Sequence, residues 1–187
     1  MQFHRVHSQD TFASTVETKR TMPNLAYLSL GSNVGNREAN LREAVARLGT
    51  QGGIVSVSSF YETEPVDFTD QAWFLNCAVA LDTTDTPEQL MAAILYIEKD
   101  MGRQRIQRKG PRNIDIDILL LEKTTGGEIL DSPALTIPHP AMHQRRFVLQ
   151  PLAEIAPAVE HPVLKKTIQA LLDGLPAGQA VRKYQAS

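Results

Sequence analysis

Gly110-Pro111-Arg112-Asn113-Ile114-Asp115-Ile116-Asp117-Ile118 reads as a turn that feeds directly into a β-strand. Ile114, Ile116 and Ile118 alternate with Asp115 and Asp117 at period two, so a strand buries the isoleucines and presents both carboxylates on its other face. Two such carboxylates lie roughly 6 to 7 Å apart. At an effective dielectric of about 20 they repel by roughly 2 to 3 kcal/mol, and an interposed cation converts that cost into attraction. Ligands that are all oxygen favour Mg²⁺.

Upstream, Arg103, Arg105, Arg108, Lys109 and Arg112 concentrate positive charge just before the acidic strand. Forked guanidiniums recognise phosphate oxygens well. An Asp-x-Asp alone is often a solvated strand face, and a basic run alone is often a solvated loop. Their adjacency, with Gly110-Pro111 turning one into the other, points to a Mg²⁺-nucleotide polyphosphate. The sequence has neither Gly-x-x-x-x-Gly-Lys-Ser/Thr nor Gly-x-Gly-x-x-Gly, so phosphate capture falls to side chains and metal.

With 187 residues, 42% of them apolar, the chain is long enough for one domain with a sizeable core and too short for two ordinary ones. Residues 1–23 are polar and aperiodic and are expected to form a flexible N-terminal extension, with 24–187 as a single domain. Met22 precedes the first strand pattern, which suggests that the natural protein starts there. A net charge of -2 argues against broad electrostatic binding to nucleic acid or acidic membrane. Cys77 is the only cysteine, which excludes an internal disulfide and a cysteine zinc site. No apolar run has transmembrane length, and the first 23 residues lack a secretory hydrophobic centre, so the expected location is the cytoplasm.

Leu25 to Leu30 reads as a strand, followed by a helix from Arg37 to about Leu48 capped by Asn36. Ile54 to Tyr61 reads as a second strand, residues 62–72 as a loop, and Trp73 to Leu81 as a third strand. Thr86 caps a helix that runs to about Met101, with Pro87 in its first turn. Ile114 to Leu121 is the fourth strand, and Gly126-Gly127 opens a possible hairpin through Ile129-Leu130. Helical pieces follow at roughly 145–153 and 165–173. Strand, helix, strand, strand, helix, strand is the order of the ferredoxin-like βαββαβ sandwich, an α+β fold with a largely antiparallel sheet and helices on one face.

Several patterns recur in order across residues 25–155: Ala26-Tyr27-Leu28-Ser29-Leu30-Gly31-Ser32-Asn33, Ser58-Ser59-Phe60-Tyr61-Glu62-Thr63, Phe74-Leu75-Asn76, Ile97-Glu98 with Gly102-Arg103, Gly110-Pro111-Arg112 into Asp115-Ile116-Asp117, and Pro138-His139-Pro140. Together they resemble the 6-hydroxymethyl-7,8-dihydropterin pyrophosphokinases of folate biosynthesis. The resemblance implies transfer of the β,γ-diphosphate of ATP to the pterin hydroxymethyl group, with AMP released and two Mg²⁺ bound by Asp115 and Asp117. It assigns Arg103 and Arg112 to catalysis, and Glu98, Arg105, Arg108, Ile118, Thr136, His139 and Arg145 to ATP. Phe74 and Phe147 match the family's aromatics on either face of the pterin, Asn76 its edge-reading amide, and Thr63, Glu64 and Val66 the rest of that edge. The chain departs from some relatives at Lys109, where they carry tryptophan, and at Pro140, where they carry an aromatic. The implied partners are the two small-molecule substrates, with a monomeric chain and possible association with other folate enzymes.

Three rival readings share parts of this pattern. A carboxylate metal phosphatase or nuclease also uses paired Asp, but a third acidic ligand is not evident. A glycosyltransferase can use Asp-x-Asp, yet the chain lacks an obvious nucleotide-sugar domain. An RNA-binding ferredoxin-like module lays bases on sheet aromatics, and its aromatic-rich signature is missing.

Overall fold

The computed structural model describes residues 24–65, 71–103, 110–123 and 126–185. In chain order its first elements are β1 (Asn24–Ser32), α1 (Arg37–Leu48), β2 (Gly53–Val57), β3 (Tyr61–Thr63), β4 (Phe74–Thr83), α2 (Pro87–Asp100) and β5 (Asp115–Lys123). β1 lies between β4 and β5, and β2 and β3 both pair with the far edge of β4. Every pairing is antiparallel, which makes this the split βαβ sheet expected of a ferredoxin-like fold.

The helices form where local chemistry and periodicity agree. Asn36 Oδ1 accepts from Ala39 N at 3.0 Å to start α1, which buries Leu41, Ala44 and Leu48. Thr86 and Gln89 cap α2 reciprocally, and Leu90, Ile94 and Ile97 face the sheet. Gly102, at φ 81°, stops α2 in a left-handed conformation and turns the chain into Arg103.

The strand expected over 54–61 is in fact two. Between β2 and β3, Ser58 donates its N–H to Ala78 O at 2.9 Å while its Oγ accepts from Ala78 N at 2.9 Å, so side chain and backbone share one site. Ser59 turns instead to Glu154, through N at 3.2 Å and Oγ at 2.7 Å. Serine side chains have displaced the ladder. The pairing also starts later and runs further than expected in β4 and β5, and β3 carries strand structure to Thr63, inside the expected loop.

After β5 come β6 (Gly126–Gly127), β7 (Leu130–Asp131), β8 (Thr136–Ile137), a short 3-10 turn, α3 (Arg146–Ile155), α4 (Ile168–Asp173) and β9 (Val181–Lys183). β6 pairs with β5, and β7 with β8, so the hairpin region is split between two sheets. β9, which lacks a sequence signal, pairs with β3 and covers that part of the edge.

Two cores sandwich the sheet. Ile114, Ile116 and Ile118 pack with Leu28, Leu30 and the buried faces of α1 and α2. On the opposite face Tyr27, Ala78 and Ala80 pack with Val148, Leu149 and Leu152 of α3 and Ile168 and Leu172 of α4. The helices of the βαββαβ unit, α1 and α2, lie on one face as expected, and the added C-terminal helices α3 and α4 cover the other. This second layer buries the sheet surface that an RNA-binding module leaves open for bases. No helix among the described residues is long and apolar enough to cross a membrane.

Candidate active site

The second helical layer stops short of the end of the sheet where β1, β4 and β5 meet Arg103 and Arg112. There the strand faces turn inward around a cavity of about 270 Å³. Ser29 and Gly31 of β1, Phe74 and Asn76 of β4, and Asp115 and Asp117 of β5 line it together, because all project from the same sheet face. Thr63, Glu64, Arg103, Arg112, His139, Arg145 and Phe147 complete the walls with Pro65 and Gln71.

The two carboxylates repel as their spacing predicts. Burial, and next the negative charge of Asp115, push the Asp117 carboxyl up to about 6. Asp115 is held by two cations: Arg103 Nη2 lies 2.6 Å from Oδ1, and Arg112 Nη1 donates to Oδ2. Among the described residues no cluster of three or more potential metal ligands forms. A two-carboxylate, oxygen-only set fits Mg²⁺, which keeps most of its shell for water and phosphate oxygens.

Each aromatic wall carries an arginine. The Arg112 guanidinium lies 5.5 Å from the Phe74 ring centroid, and that of Arg145 lies 5.6 Å from Phe147. Asn33 locks the arginine loop to the segment entering β4. Its Oδ1 accepts from Arg112 N at 2.8 Å, and its Nδ2 donates to Gln71 Oε1 at 3.0 Å and Ala72 O at 3.3 Å.

Asn76 is buried, with Nδ2 donating to Thr63 Oγ1 at 2.7 Å. A Cβ at Gly31 would lie 2.6 Å from Asn76 Oδ1, so only glycine lets that amide stand where it does.

His139 depends on an irregularity in β5. Leu28 pairs with Ile118 but Tyr27 pairs with Leu120, which leaves Leu119 as a bulge. The Leu119 carbonyl, freed from the ladder, accepts from His139 N at 2.9 Å. His139 Nδ1 accepts from Ala141 N at 3.2 Å, so the neutral ring carries its proton on Nε2. Burial, then the charge of Arg145, hold its pKa below the ordinary histidine value. It is a neutral donor.

Glu98 stands behind the cavity. It is 3% exposed, accepts from Ile116 N at 2.8 Å, and pairs with Arg103. Burial raises its pKa, while the Ile116 N–H and the Arg103 charge oppose the shift. Ile118, assigned to ATP by resemblance, is instead in the core beneath α1 and α2 and does not line the cavity. Thr136 is also outside the lining, with Oγ1 donating to Asp131 Oδ1 at 3.4 Å. Val66, Arg105 and Arg108 lie outside the described residues.

Ser29 and Gln71 also line the cavity and are not among the residues that the sequence points to. Ser29 was within reach, since it shares the period-two face of Gly31. Gln71 had no such signal.

Cation grip, guanidiniums and aromatic slot open onto one space, so a phosphate group and a flat ring can meet there. Fold and site thus define a phosphotransferase. Residues 27–157 match the family model for 7,8-dihydro-6-hydroxymethylpterin-pyrophosphokinase (HPPK). The chain is 48% identical over 141 residues to the 2-amino-4-hydroxy-6-hydroxymethyldihydropteridine pyrophosphokinase of Bacillus subtilis, an alignment that covers 74% of this chain and 82% of that protein. It is 50% identical over 134 residues to the pyrophosphokinase of the same name from Methylorubrum extorquens, covering 71% and 82% of the two chains. The Folic acid synthesis protein fol1 of Schizosaccharomyces pombe is 38% identical over 188 residues, covering 100% of this chain but 25% of that longer protein. In fold, the chain is similar to wild-type Plasmodium falciparum HPPK-DHPS solved with pterin and p-hydroxybenzoate, at TM-score 0.62 and 20% identity, covering 83% of this chain and 44% of that one. The chain belongs to the 7,8-dihydro-6-hydroxymethylpterin-pyrophosphokinase family.

Proposed function

We propose that this chain transfers the β,γ-diphosphate of ATP to the hydroxymethyl oxygen of 6-hydroxymethyl-7,8-dihydropterin and releases AMP, a step of tetrahydrofolate biosynthesis. A bond forms between the hydroxymethyl oxygen and the β-phosphorus, and the bond from that phosphorus to the α,β-bridging oxygen breaks. AMP leaves with the electron pair, and the proton of the hydroxymethyl group passes to solvent water. The observation that carries this reading is the single cavity in which paired carboxylates, guanidiniums, Asn76 and the two phenylalanines converge.

Attack by a primary alcohol on phosphorus needs little covalent help but much alignment and charge neutralisation. Two Mg²⁺ held by Asp115 and Asp117 would supply that neutralisation and keep the triphosphate in line. Arg103 and Arg112 both pair with Asp115, and with a cation at that carboxylate they would be free to bind phosphate oxygens. Glu98 keeps Arg103 at the cavity wall. His139 donates from Nε2 to a nucleotide oxygen, and Arg145 adds charge beside it. Ile118 and Thr136 serve the nucleotide only from behind or beside the cavity.

Phe74 and Phe147 hold the pterin ring between them, while Asn76 reads its polar edge with donor and acceptor together. Thr63, Glu64 and Val66 complete that edge. Asn76→Ala leaves the edge unpaired and is expected to weaken dihydropterin binding by about 1 to 3 kcal/mol in calorimetry, with affinity for a Mg²⁺-ATP analogue unchanged. Unchanged pterin affinity would remove Asn76 from this role.

The reading includes a monomer in the cytoplasm, where the buried free thiol of Cys77 suits a reducing environment. The bifunctional name of the HPPK-DHPS relative supports association with a neighbouring folate enzyme. The direct test is product analysis with ATP, Mg²⁺ and dihydropterin. AMP together with a pterin diphosphate is expected, whereas ADP or free phosphate would move the cut to the γ-phosphorus and reject the assignment.

A further inference from the structure

α3 begins without a cap of its own. Arg145 stands at the N-cap position and gives the first turn no side-chain acceptor, so the free N–H groups there need partners from elsewhere. Phe147 finds one far along the chain: its N–H donates to Gln179 Oε1 at 3.2 Å. The other end of the same amide, Nε2, donates to Glu64 O at 3.1 Å. Phe147 and Glu64 are both cavity walls.

One planar side chain therefore links two walls of the cavity. Glu64 directly follows Thr63, which pairs with Phe74 across β3 and β4, so the bridge ties Phe147 to the strand pair that carries the other aromatic wall. Gln179 is itself well fixed. Next to it, Ala180 O accepts from Glu64 N at 3.2 Å, and β9 then pairs with β3 from Val181 to Lys183. On its other side, Arg146 Nη2 donates to Leu175 O at 3.2 Å. This segment lies beyond residues 27–157, the part matched by the family model.

We propose that Gln179 is a positioning residue of the ring subsite, bracing Phe147 against the Glu64 wall and thereby setting the width of the slot that receives the pterin. The proposal rests on the pterin reading above. Stacking is sensitive to such a width, since a gap of roughly 0.5 to 1 Å forfeits a quarter to a half of each contact's attraction. Phosphate chemistry at Asp115 and Asp117 does not depend on it. The brace thus acts on one substrate.

The test is steady-state kinetics on the full chain with dihydropterin and Mg²⁺-ATP varied in turn. Gln179→Ala is expected to raise the KM for dihydropterin on the order of tenfold, with kcat and the KM for ATP within about twofold of the original chain. Gln179→Glu keeps an acceptor for Phe147 N but cannot donate to Glu64 O, so its pterin KM should fall between the two. Equal pterin KM in all three proteins, or a loss confined to kcat in proportion to folded protein, would overturn the brace. Absence of diphosphate transfer in the original chain would instead count against the function itself.

Discussion

Asp117→Asn should lower turnover by roughly 10³-fold or more while leaving dihydropterin affinity essentially intact. The carboxylate's charge acts on the transferring group, and removing it takes away stabilisation that develops in the transition state. Asn76, Phe74 and Phe147 are untouched by the change. Asp115→Asn should behave alike, because both side chains leave β5 on the same face. Stopped-flow turnover beside pterin calorimetry checks this, and a variant with near-normal kcat would refute the assignment.

Stability should move the other way. The Asp117 carboxyl ordinarily titrates near 3.8 and is pushed up to about 6 in the fold. The folded state therefore binds this proton more tightly than the unfolded chain. As pH rises from about 4 to 6 the unfolded chain ionises first and stability falls, and above that range the full cost of the buried charge remains. Asn carries no charge, so at pH 8 without divalent cation the variant should be more stable, on the order of 1 to 3 kcal/mol. Loss of function with a gain in stability is what a site strained for cation binding predicts.

Glu98→Ala is the second large effect, and it acts on the fold as well as the site. The carboxylate is 3% exposed and serves Ile116 N and Arg103 at once. Its removal leaves a buried backbone donor at 2.8 Å without a partner, and Arg103 facing one carboxylate in place of two. Breaking a buried pair from one side costs about 3 to 5 kcal/mol. Denaturant unfolding should show a loss of that size, with Glu98→Gln less affected because it retains an acceptor for Ile116. Near-original stability in the Ala variant would mean that Glu98 is not the strut between α2 and β5.

The legible parts of the chain were those where one local rule decided the outcome. Alternation of Ile114, Asp115, Ile116 and Asp117 separated core from cavity in β5, and Asn36 and Thr86 marked helix starts that the structure retains. The bulge at Leu119 was hidden, because Ile118 to Leu121 is apolar throughout and carries no alternation to break. The interruption at Ser58 was hidden for a related reason: its hydroxyl substitutes for a ladder partner only once β4 lies beside it.

The site divides along the same line. Asp115, Asp117, Arg103 and Arg112, readable from their own pattern, and Thr63, Glu64, Phe74, Asn76, His139, Arg145 and Phe147, implied by the family resemblance, line one cavity. Placing Glu98 behind Arg103, and Ile118 in the core, required the actual packing of α2 on β5. Gln179 and β9 have no signal in the chain, since an edge strand of Val181-Arg182-Lys183 is defined only by the partner it covers.

The most direct measurement is anomalous scattering from Mn²⁺ in crystals grown with a non-hydrolysable ATP analogue. Two peaks should lie between the phosphate oxygens and the carboxylates of Asp115 and Asp117, with Arg103 and Arg112 turned from Asp115 toward phosphate. Nucleotide bound with no peak at either carboxylate would contradict the account.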